Sequence, residues 1–295
     1  MFDIFKGGKV QLDVRLDKQI YAPGDTIHAR ISLQNDKELK IQGGRFTLTC
    51  QQKYQYKRKH RDSDGHSKVD TTWGTNDVQV YRLDFLPETT LAPGAQTFET
   101  SFTLDAVAAS SSKGEIISVA WYAKATIDRK MAADTNTEVE FQVVNANPVD
   151  AAGETPREYG EANEPEEARM TFYLRACQVT RGAALSGFLR IYPQKSFGAG
   201  EVRLELMRDE YVGDVSGTGY DHSKQTKVAE TKLAGKTQLQ AGQYMEFPFT
   251  LALPENLAPT FAIEPGYLKY TLQGVLARTL RKDTLVKEEI IVYPD

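Results

Sequence analysis

Cysteine, helical periodicity and long apolar runs are all scarce in this sequence of 295 residues. The two cysteines, Cys50 and Cys177, are too few for a disulfide framework, so we expect both to be small buried hydrophobic residues. No stretch is apolar for long enough to span a bilayer. The first residues, MFDIFK, lack the charged and apolar regions of a secretion signal, and a cytoplasmic protein is therefore expected.

An excess of positive charge is also lacking. The chain has 36 lysines and arginines against 40 aspartates and glutamates, which gives a net charge of -4. A protein that binds nucleic acid over its whole surface is normally basic, so no nucleic-acid partner is expected. Hydrophobic residues make up 40% of the chain, and a chain of this length can fill a core in each of two domains.

Alternation of apolar and polar residues runs through almost the whole chain. Four clear examples are Val10–Leu16, Phe46–Cys50, Val202–Leu206 and Phe247–Leu253. A period of two places one face of a strand on a core and the other in water. Pro-Gly and Gly-Gly turns separate these short runs. The pattern predicts an all-β protein with two tandem antiparallel β-sandwich domains of immunoglobulin-like type.

Residues 150–169 (DAAGETPREYGEANEPEEAR) break the alternation. They contain seven acidic residues against two arginines and have little to bury. The composition is typical of a mobile linker, so we expect domains at residues 1–149 and 170–295 with an acidic linker between them. A long surface loop within one domain is the alternative.

The two halves resemble each other. Gly94 and Gly242 lie 148 residues apart, as do Tyr122 and Tyr270, and each pair stands in a similar run. The last strands, Glu140–Val143 and Glu289–Val292, keep nearly the same spacing. Such a constant offset across three features predicts a duplicated sandwich.

The opening residues resemble those of arrestin-domain proteins. An alternating strand, Val10–Lys18, is followed by the turn Tyr21-Ala22-Pro23-Gly24-Asp25 and a second alternating strand. Val119–Arg129 is similar to a late strand of that family, and Gly266–Leu272 is its counterpart in the second half. The resemblance implies two arrestin-type sandwiches that bind other proteins, with no catalytic centre and no cofactor.

The family includes receptor arrestins, α-arrestin adaptors, the arrestin-like retromer subunit and bacterial sporulation-control proteins. This sequence has no Pro-Pro-x-Tyr motif, and it ends directly after its last predicted strand. Its form is most similar to the sporulation-control type. The resemblance therefore implies a non-enzymatic adaptor or scaffold, with a regulatory or stress-control role in bacteria.

The turn residues Tyr21, Pro23, Gly24 and Asp25 are interpreted as structural. Proline fixes φ for a turn, glycine can take a positive φ, and Tyr21 can lie over the end of the sandwich. We expect no catalysis at this turn.

Residues 53–68 (KYQYKRKHRDSDGHSK), which we name the basic tip, contain six lysines and arginines. Alternation fails after Tyr56 and Asp64-Gly65 signals a hairpin turn, so the basic tip is expected to project from the first domain. The candidate binding residues are Lys57, Arg58, Lys59 and Arg61. Acidic or phosphorylated protein segments and anionic lipid head groups are the candidate partners. A solvated loop that balances the acidic linker is the alternative.

The equivalent loop in the second half, residues 211–227, is expected to be plain and mobile. His28 should point outward from its strand. His60 and His66 stand near Asp62 and Asp64, but the spacing matches neither a zinc nor a calcium motif, so no metal is expected.

Two other classes of function stay open. Trp73 and Trp121 could stack on sugars in a carbohydrate-binding sandwich. A sandwich hydrolase would need two facing carboxylates, and residues on distant strands can supply such a pair. Gly235-Lys236-Thr237 matches the end of a phosphate-binding loop, but the upstream glycine is missing.

Overall fold

A computed structural model describes residues 10–61, 63–130, 132–146, 148, 154–278 and 280–294. These residues form strands, turns and loops, and none of them lies in a helix. The strands of the first half are β1 (Val10–Leu16), β2 (Ile20–Tyr21), β3 (Thr26–Asn35), β4 (Leu39–Arg61), β5 (Ser67–Leu86), β6 (Thr89–Leu91), β7 (Gly94–Thr103), β8 (Ser112–Lys113), β9 (Ile117–Arg129) and β10 (Thr135–Val143).

The strands of the second half follow from residue 157. They are β11 (Arg157–Tyr159), β12 (Glu161–Ala162), β13 (Ala168–Leu174), β14 (Gln178–Thr180), β15 (Ala184–Pro193), β16 (Phe197–Ala199), β17 (Glu201–Val212), β18 (His222–Ala234), β19 (Thr237–Leu239), β20 (Met245–Ala252), β21 (Phe261–Ile263), β22 (Gly266–Ala277) and β23 (Thr284–Tyr293).

Two sheets form the first sandwich. One has the order β1-β3-β7, and the other has the order β2-β10-β9-β4-β5, with β6 beside β4 and β8 beside β9. Buried residues of both sheets pack together in clusters such as Leu33, Leu39, Ile41, Leu91 and Ile127. The inward positions therefore form a core between two sheets, as the alternation predicts.

The second sandwich repeats this arrangement. One sheet has the order β11-β13-β15-β20 and the other has β12-β23-β22-β17-β18, with β14 beside β23 and β21 beside β22. The series β2-β10-β9-β4-β5 and β14-β23-β22-β17-β18 occupy matching places in chain order. Most pairings are antiparallel, while β2 and β14 pair in parallel with β10 and β23. The predicted all-β, two-sandwich fold is confirmed.

One buried aromatic residue in each half shows which positions of the two halves are structurally equivalent. Trp121 Nε1 donates a hydrogen bond to Ala109 O at 2.8 Å, and Tyr270 OH donates one to Ala258 O at 2.8 Å. Both aromatic residues and both acceptors are 149 positions apart. The predicted equivalence of Tyr122 and Tyr270 is therefore wrong by one residue, and adjacent residues of a strand face opposite sides of the sheet.

The Pro-Gly turn also has a structural counterpart. Asp25 N donates to Ala22 O at 3.0 Å, and Ala183 N donates to Thr180 O at 3.1 Å. Gly24 has φ 86° and Gly182 has φ 75°, the left-handed conformation that favours glycine. Sequence reasoning missed the second turn because it has no proline.

The chain divides into two compact units. The first comprises the described residues up to Lys53, Thr75–Ser111 and the described part of 118–145. The second comprises Tyr54–Gly74, Ser112–Ile117 and the chain from Ala146 onward. Within the predicted linker, β11 pairs with β13 and β12 pairs with β23, so residues 157–162 form part of the second unit's sheets. The boundaries at residues 149 and 170 stay a prediction.

Candidate functional site

The basic tip is a continuation of two long strands. β4 extends to Arg61 and β5 begins at Ser67, with Gly65 at φ 82° in the turn between them. The hairpin turn predicted at Asp64-Gly65 is therefore found, and the strands continue past Tyr56, where the hydrophobic alternation ends. Backbone pairing continues although the side chains there are all polar, and hydrophobic alternation cannot report such a strand. Asp62 lies outside the described residues.

The candidate binding residues differ in exposure. Arg58, Lys59 and Arg61 are exposed, and Lys57 is half-buried with its Nζ 3.0 Å from Thr71 Oγ1. Within the described residues, Arg58, Lys59 and Arg61 form no salt bridge. His60 Nδ1 lies 3.3 Å from Asp70 Oδ2. The basic tip therefore presents a group of cations to solvent.

Hydrogen bonds hold the backbone beneath these cations. Ser216 Oγ donates to Lys57 O at 2.6 Å, Gln55 N donates to Ile116 O at 2.7 Å, and His222 Nε2 lies 3.2 Å from Gln55 Oε1. All of these residues belong to the second unit. Residues 54–68 of the basic tip therefore belong to the second unit, although β4 begins and β5 ends in the first unit.

The loop that meets the basic tip is ordered by one carboxylate. Residues 211–212 and 222–227 belong to strands, and residues 213–221 form the loop between them. Asp214 accepts hydrogen bonds from the backbone N–H groups of Ser216 at 3.2 Å, Thr218 at 3.0 Å and Gly219. These bonds, chiefly the one from Gly219, lower the pKa of Asp214 to about 2. The expected plain, mobile loop is instead a closed turn around Asp214.

A buried carboxylate lies near the base of the same loop. Glu210 is 1% exposed, and its Oε2 accepts from the N–H groups of Glu115 at 2.7 Å, Ile116 at 2.8 Å and Ile117 at 3.3 Å. Arg208 Nε lies 2.9 Å from Glu210 Oε1. Sequence reasoning missed this site. The signal was present, because Glu210 stands at an inward position of the alternating run that begins at Val202.

The turn residues of the first sandwich make structural contacts. Tyr21 is buried, its ring meets Phe141 edge-on at 5.5 Å, and its OH donates to Asp17 Oδ1 at 2.7 Å. Asp25 Oδ2 accepts from Ala22 N at 3.0 Å, which closes the turn around Pro23 and Gly24. Burial, with the bond to Asp17, raises the pKa of Tyr21, so its hydroxyl stays protonated.

Other candidates have no arrangement for chemistry among the described residues. His28 is exposed, as expected, and the described part of the chain has no group of three or more metal-binding side chains. Burial raises the pKa of the Cys50 and Cys177 thiols to about 12. Trp121 is fully buried and cannot stack on a sugar, whereas Trp73 is 48% exposed. No described helix could cross a membrane.

Comparison with known proteins identifies one family model. The model described as Arrestin (or S-antigen), N-terminal domain, matches residues 9–150 and 200–295. Segments of both halves thus match the model of one domain, as a duplicated sandwich should. No curated protein matches the chain.

Proposed function

Because the chain belongs to the arrestin family, we propose that it is an adaptor that captures acidic or phosphorylated segments of partner proteins on its basic tip. Membership of this family supports a protein-binding role in general, and family members are generally non-enzymatic. The observation that supports the basic tip as the contact is the exposure of Arg58, Lys59 and Arg61 over a fixed backbone.

Two physical effects favour this contact. Charge-assisted hydrogen bonds from arginine to carboxylate or phosphate are about twice as strong as neutral ones. The bond from Ser216 to Lys57 O holds the strand in place before a partner arrives, so binding orders only side chains. A partner therefore meets a preformed cationic surface on a protein whose net charge is -4.

The decisive test reverses the charges of the basic tip. We expect the variant Arg58→Glu/Lys59→Glu/Arg61→Glu to bind a labelled octaglutamate peptide at least about tenfold more weakly, since three charge-assisted contacts are lost. Affinity of the unchanged protein should also fall steeply as salt is raised. Fluorescence anisotropy at several salt concentrations measures both effects.

The matched control is Lys195→Glu/Lys236→Glu/Lys282→Glu, which makes the same charge change at three exposed lysines elsewhere. The proposal would be rejected if the two triple variants bound the peptide equally well, or if the affinity did not depend on ionic strength. Binding to phosphatidylserine vesicles that needs the basic tip, with no binding to the acidic peptide, would assign the basic tip to anionic membranes instead.

The finer assignment is a cytoplasmic regulator of sporulation or stress in bacteria. It rests on the resemblance in form to sporulation-control proteins. Deletion of the gene in its own organism should change sporulation or survival under stress, and fractionation should recover the protein from the cytoplasm. A deletion strain with unchanged sporulation and stress survival would remove this assignment while leaving the adaptor role intact.

The domain boundaries complete the proposal. We infer sandwich domains at residues 1–149 and 170–295, with the acidic segment at 150–169 between them. Limited proteolysis should cut first near the start of that segment, because residues 157–162 are paired in sheets. A first cut elsewhere would move the boundary.

A further inference from the structure

β5 lies at the end of its sheet. It runs from Ser67 to Leu86, and among the described strands it pairs only with β4. The N–H and C=O groups on its other side therefore form an open edge, which is a template for an added strand. β5 contains no proline and one lysine, Lys68, and its other charged residues are Asp70, Asp77, Arg82 and Asp84.

The edge divides into two segments. Gln51 Nε2 donates to Asp77 Oδ1 at 3.0 Å, and Lys57 Nζ to Thr71 Oγ1, so odd-numbered residues up to Asp77 lie on the outer face. Tyr81 is also odd-numbered, but it stacks on the buried Trp121 at 6.2 Å. The alternation therefore changes phase between Asp77 and Tyr81, as at a β-bulge.

The segment before this change, Ser67–Asp77, is named the outer edge segment. At about 3.3 Å per residue it is roughly 36 Å long, longer than an ordinary strand needs. On its outer face Val69 is 41% exposed and Trp73 is 48% exposed, with Thr71 between them. Its first residues adjoin the cations of the basic tip. The segment thus offers backbone groups and apolar side chains beside the positive charge of the basic tip, while its own charged residues are Lys68, Asp70 and Asp77.

The larger sheet of the second sandwich ends at β18, a strand that is protected against pairing with an added strand. β18 contains Lys224, Lys227 and Lys232, and its register against β17 shifts twice. Lysines and irregular register are the usual means of preventing edge pairing. The outer edge segment has one lysine, Lys68, and its two aspartates have partners on β4: Asp70 Oδ2 lies 3.3 Å from His60 Nδ1 and Asp77 Oδ1 accepts from Gln51 Nε2. The edge of β5 is therefore less protected by lysine than the edge of β18.

From these observations we propose that the outer edge segment binds an extended segment of a partner protein as an added strand. Charge complementarity determines which end of the partner lies where. Its acidic or phosphorylated residues lie at the basic tip, and its apolar residues face Val69 and Trp73. Antiparallel addition is the more stable pairing, and it places the acidic residues at the C-terminal end of the bound segment. This inference rests on the proposed function and specifies how the partner is held.

The probe is the synthetic peptide Val-Thr-Val-Thr-Val-Glu-Glu-Glu-Glu. Two further versions are N-methylated at alternate residues, one in each phase, which removes backbone donors without changing charge. An added strand pairs through one edge only. We therefore expect one phase to weaken binding at least about tenfold and the other to change it little. Hydrogen exchange of the amides in the outer edge segment should slow when the parent peptide binds.

The protein variant Val69→Lys tests the same contact from the other side. Its matched control is Val80→Lys, the same change in the same strand beyond the phase change, where Val80 is 55% exposed. We expect about tenfold weaker peptide binding for Val69→Lys and little change for Val80→Lys.

The outcomes separate this inference from the proposed function. If both methylated peptides bind like the parent, and charge reversal of the basic tip still abolishes binding, the added strand is refuted and the adaptor proposal stands. If no version binds but octaglutamate does, only the added strand is overturned, and if octaglutamate also fails to bind, both proposals are overturned. If Val69→Lys instead converts a dimer to a monomer in analytical ultracentrifugation, the edge pairs with a second copy and the partner assignment is wrong.

Discussion

The two halves of this protein share their buried design and differ in the hairpins that end their larger sheets. Trp121 and Tyr270 play the same part in the two cores. In the second hairpin, Lys227 lies 3.4 Å from Glu205 and also pairs with Glu230. In the first hairpin, Arg58, Lys59 and Arg61 form no salt bridge with another described residue. Inward positions preserve the fold, and outward positions are free to diverge toward a partner.

The largest expected effect on stability comes from replacing Glu210, the buried carboxylate of the second half. The change Glu210→Ala leaves the three N–H groups of residues 115–117 without their acceptor and removes one of the two carboxylates that Arg208 contacts, the other being that of Glu115. We expect the free energy of unfolding to fall by about 3–5 kcal/mol, as when one partner of a buried ion pair is removed. Urea denaturation measures it. Glu289→Ala, which breaks the exposed pair with Lys269, is the control, and an equal loss for both variants would contradict the buried role.

The second prediction concerns the paired aromatic residues of the two cores. Tyr270→Phe removes only a hydroxyl and should cost about 1–2 kcal/mol, because Ala258 O loses its donor. Trp121→Phe also leaves a cavity and should cost about 2–3 kcal/mol. Tyr122→Phe should cost under about 0.5 kcal/mol. Thermal unfolding of the three variants checks the order, and a larger loss at Tyr122 than at Trp121 would restore the 148-residue alignment.

Replacing Gly24 or Gly182, two turn glycines that have a left-handed backbone conformation, should change stability by a smaller amount. Gly24→Ala forces a side chain into the left-handed region at a cost of about 1–2 kcal/mol, with nothing within 4 Å of the new carbon. Gly182→Ala meets the same strain and also approaches Glu255 Cγ at 3.3 Å, so it should cost more. Gly235→Ala, where no positive φ occurs, should be nearly neutral. If Gly24→Ala is the most destabilising of the three, the equivalence of the turns is wrong.

The smallest expected effect concerns the protonation of His222. Burial, and then the nearby Lys57, lower the pKa of His222 below 6.5. The unfolded chain binds the proton first, so His222 reduces stability as pH falls through its unfolded-state pKa. Lys57→Gln should raise the pKa of His222 in an NMR titration, and Lys59→Gln should leave it unchanged. Identical titration curves in all three proteins would show that Lys57 does not act on His222.

Most of the fold was predictable because alternation reports burial directly. The strands around Leu48 and Leu204 needed no other signal. The end of β4 was not predictable in this way, since residues 57–61 are all polar and only their pairing with β5 makes them a strand. The phase change after Asp77 depends on which residues meet the core, and no local pattern encodes that choice.

The candidate site was predictable only in part. The cations of the basic tip are visible as a cluster in the sequence, but Ser216, which fixes their backbone, is distant in the chain. Glu210 was missed because an acidic residue at an inward position suggests an error in the pattern until its hydrogen-bond donors are known. The missing information in both cases is the tertiary contact, which a single sequence does not contain.

Gly114 and Glu210 are coupled by space. A side-chain carbon at position 114 would collide with Glu210 Oε2 and with Ile117 O. Relatives that retain the acid at 210 should therefore retain glycine at 114, and any relative with a larger residue there should have lost the acid. Positions 114 and 210 should therefore covary among homologous sequences, either changing together or both staying the same.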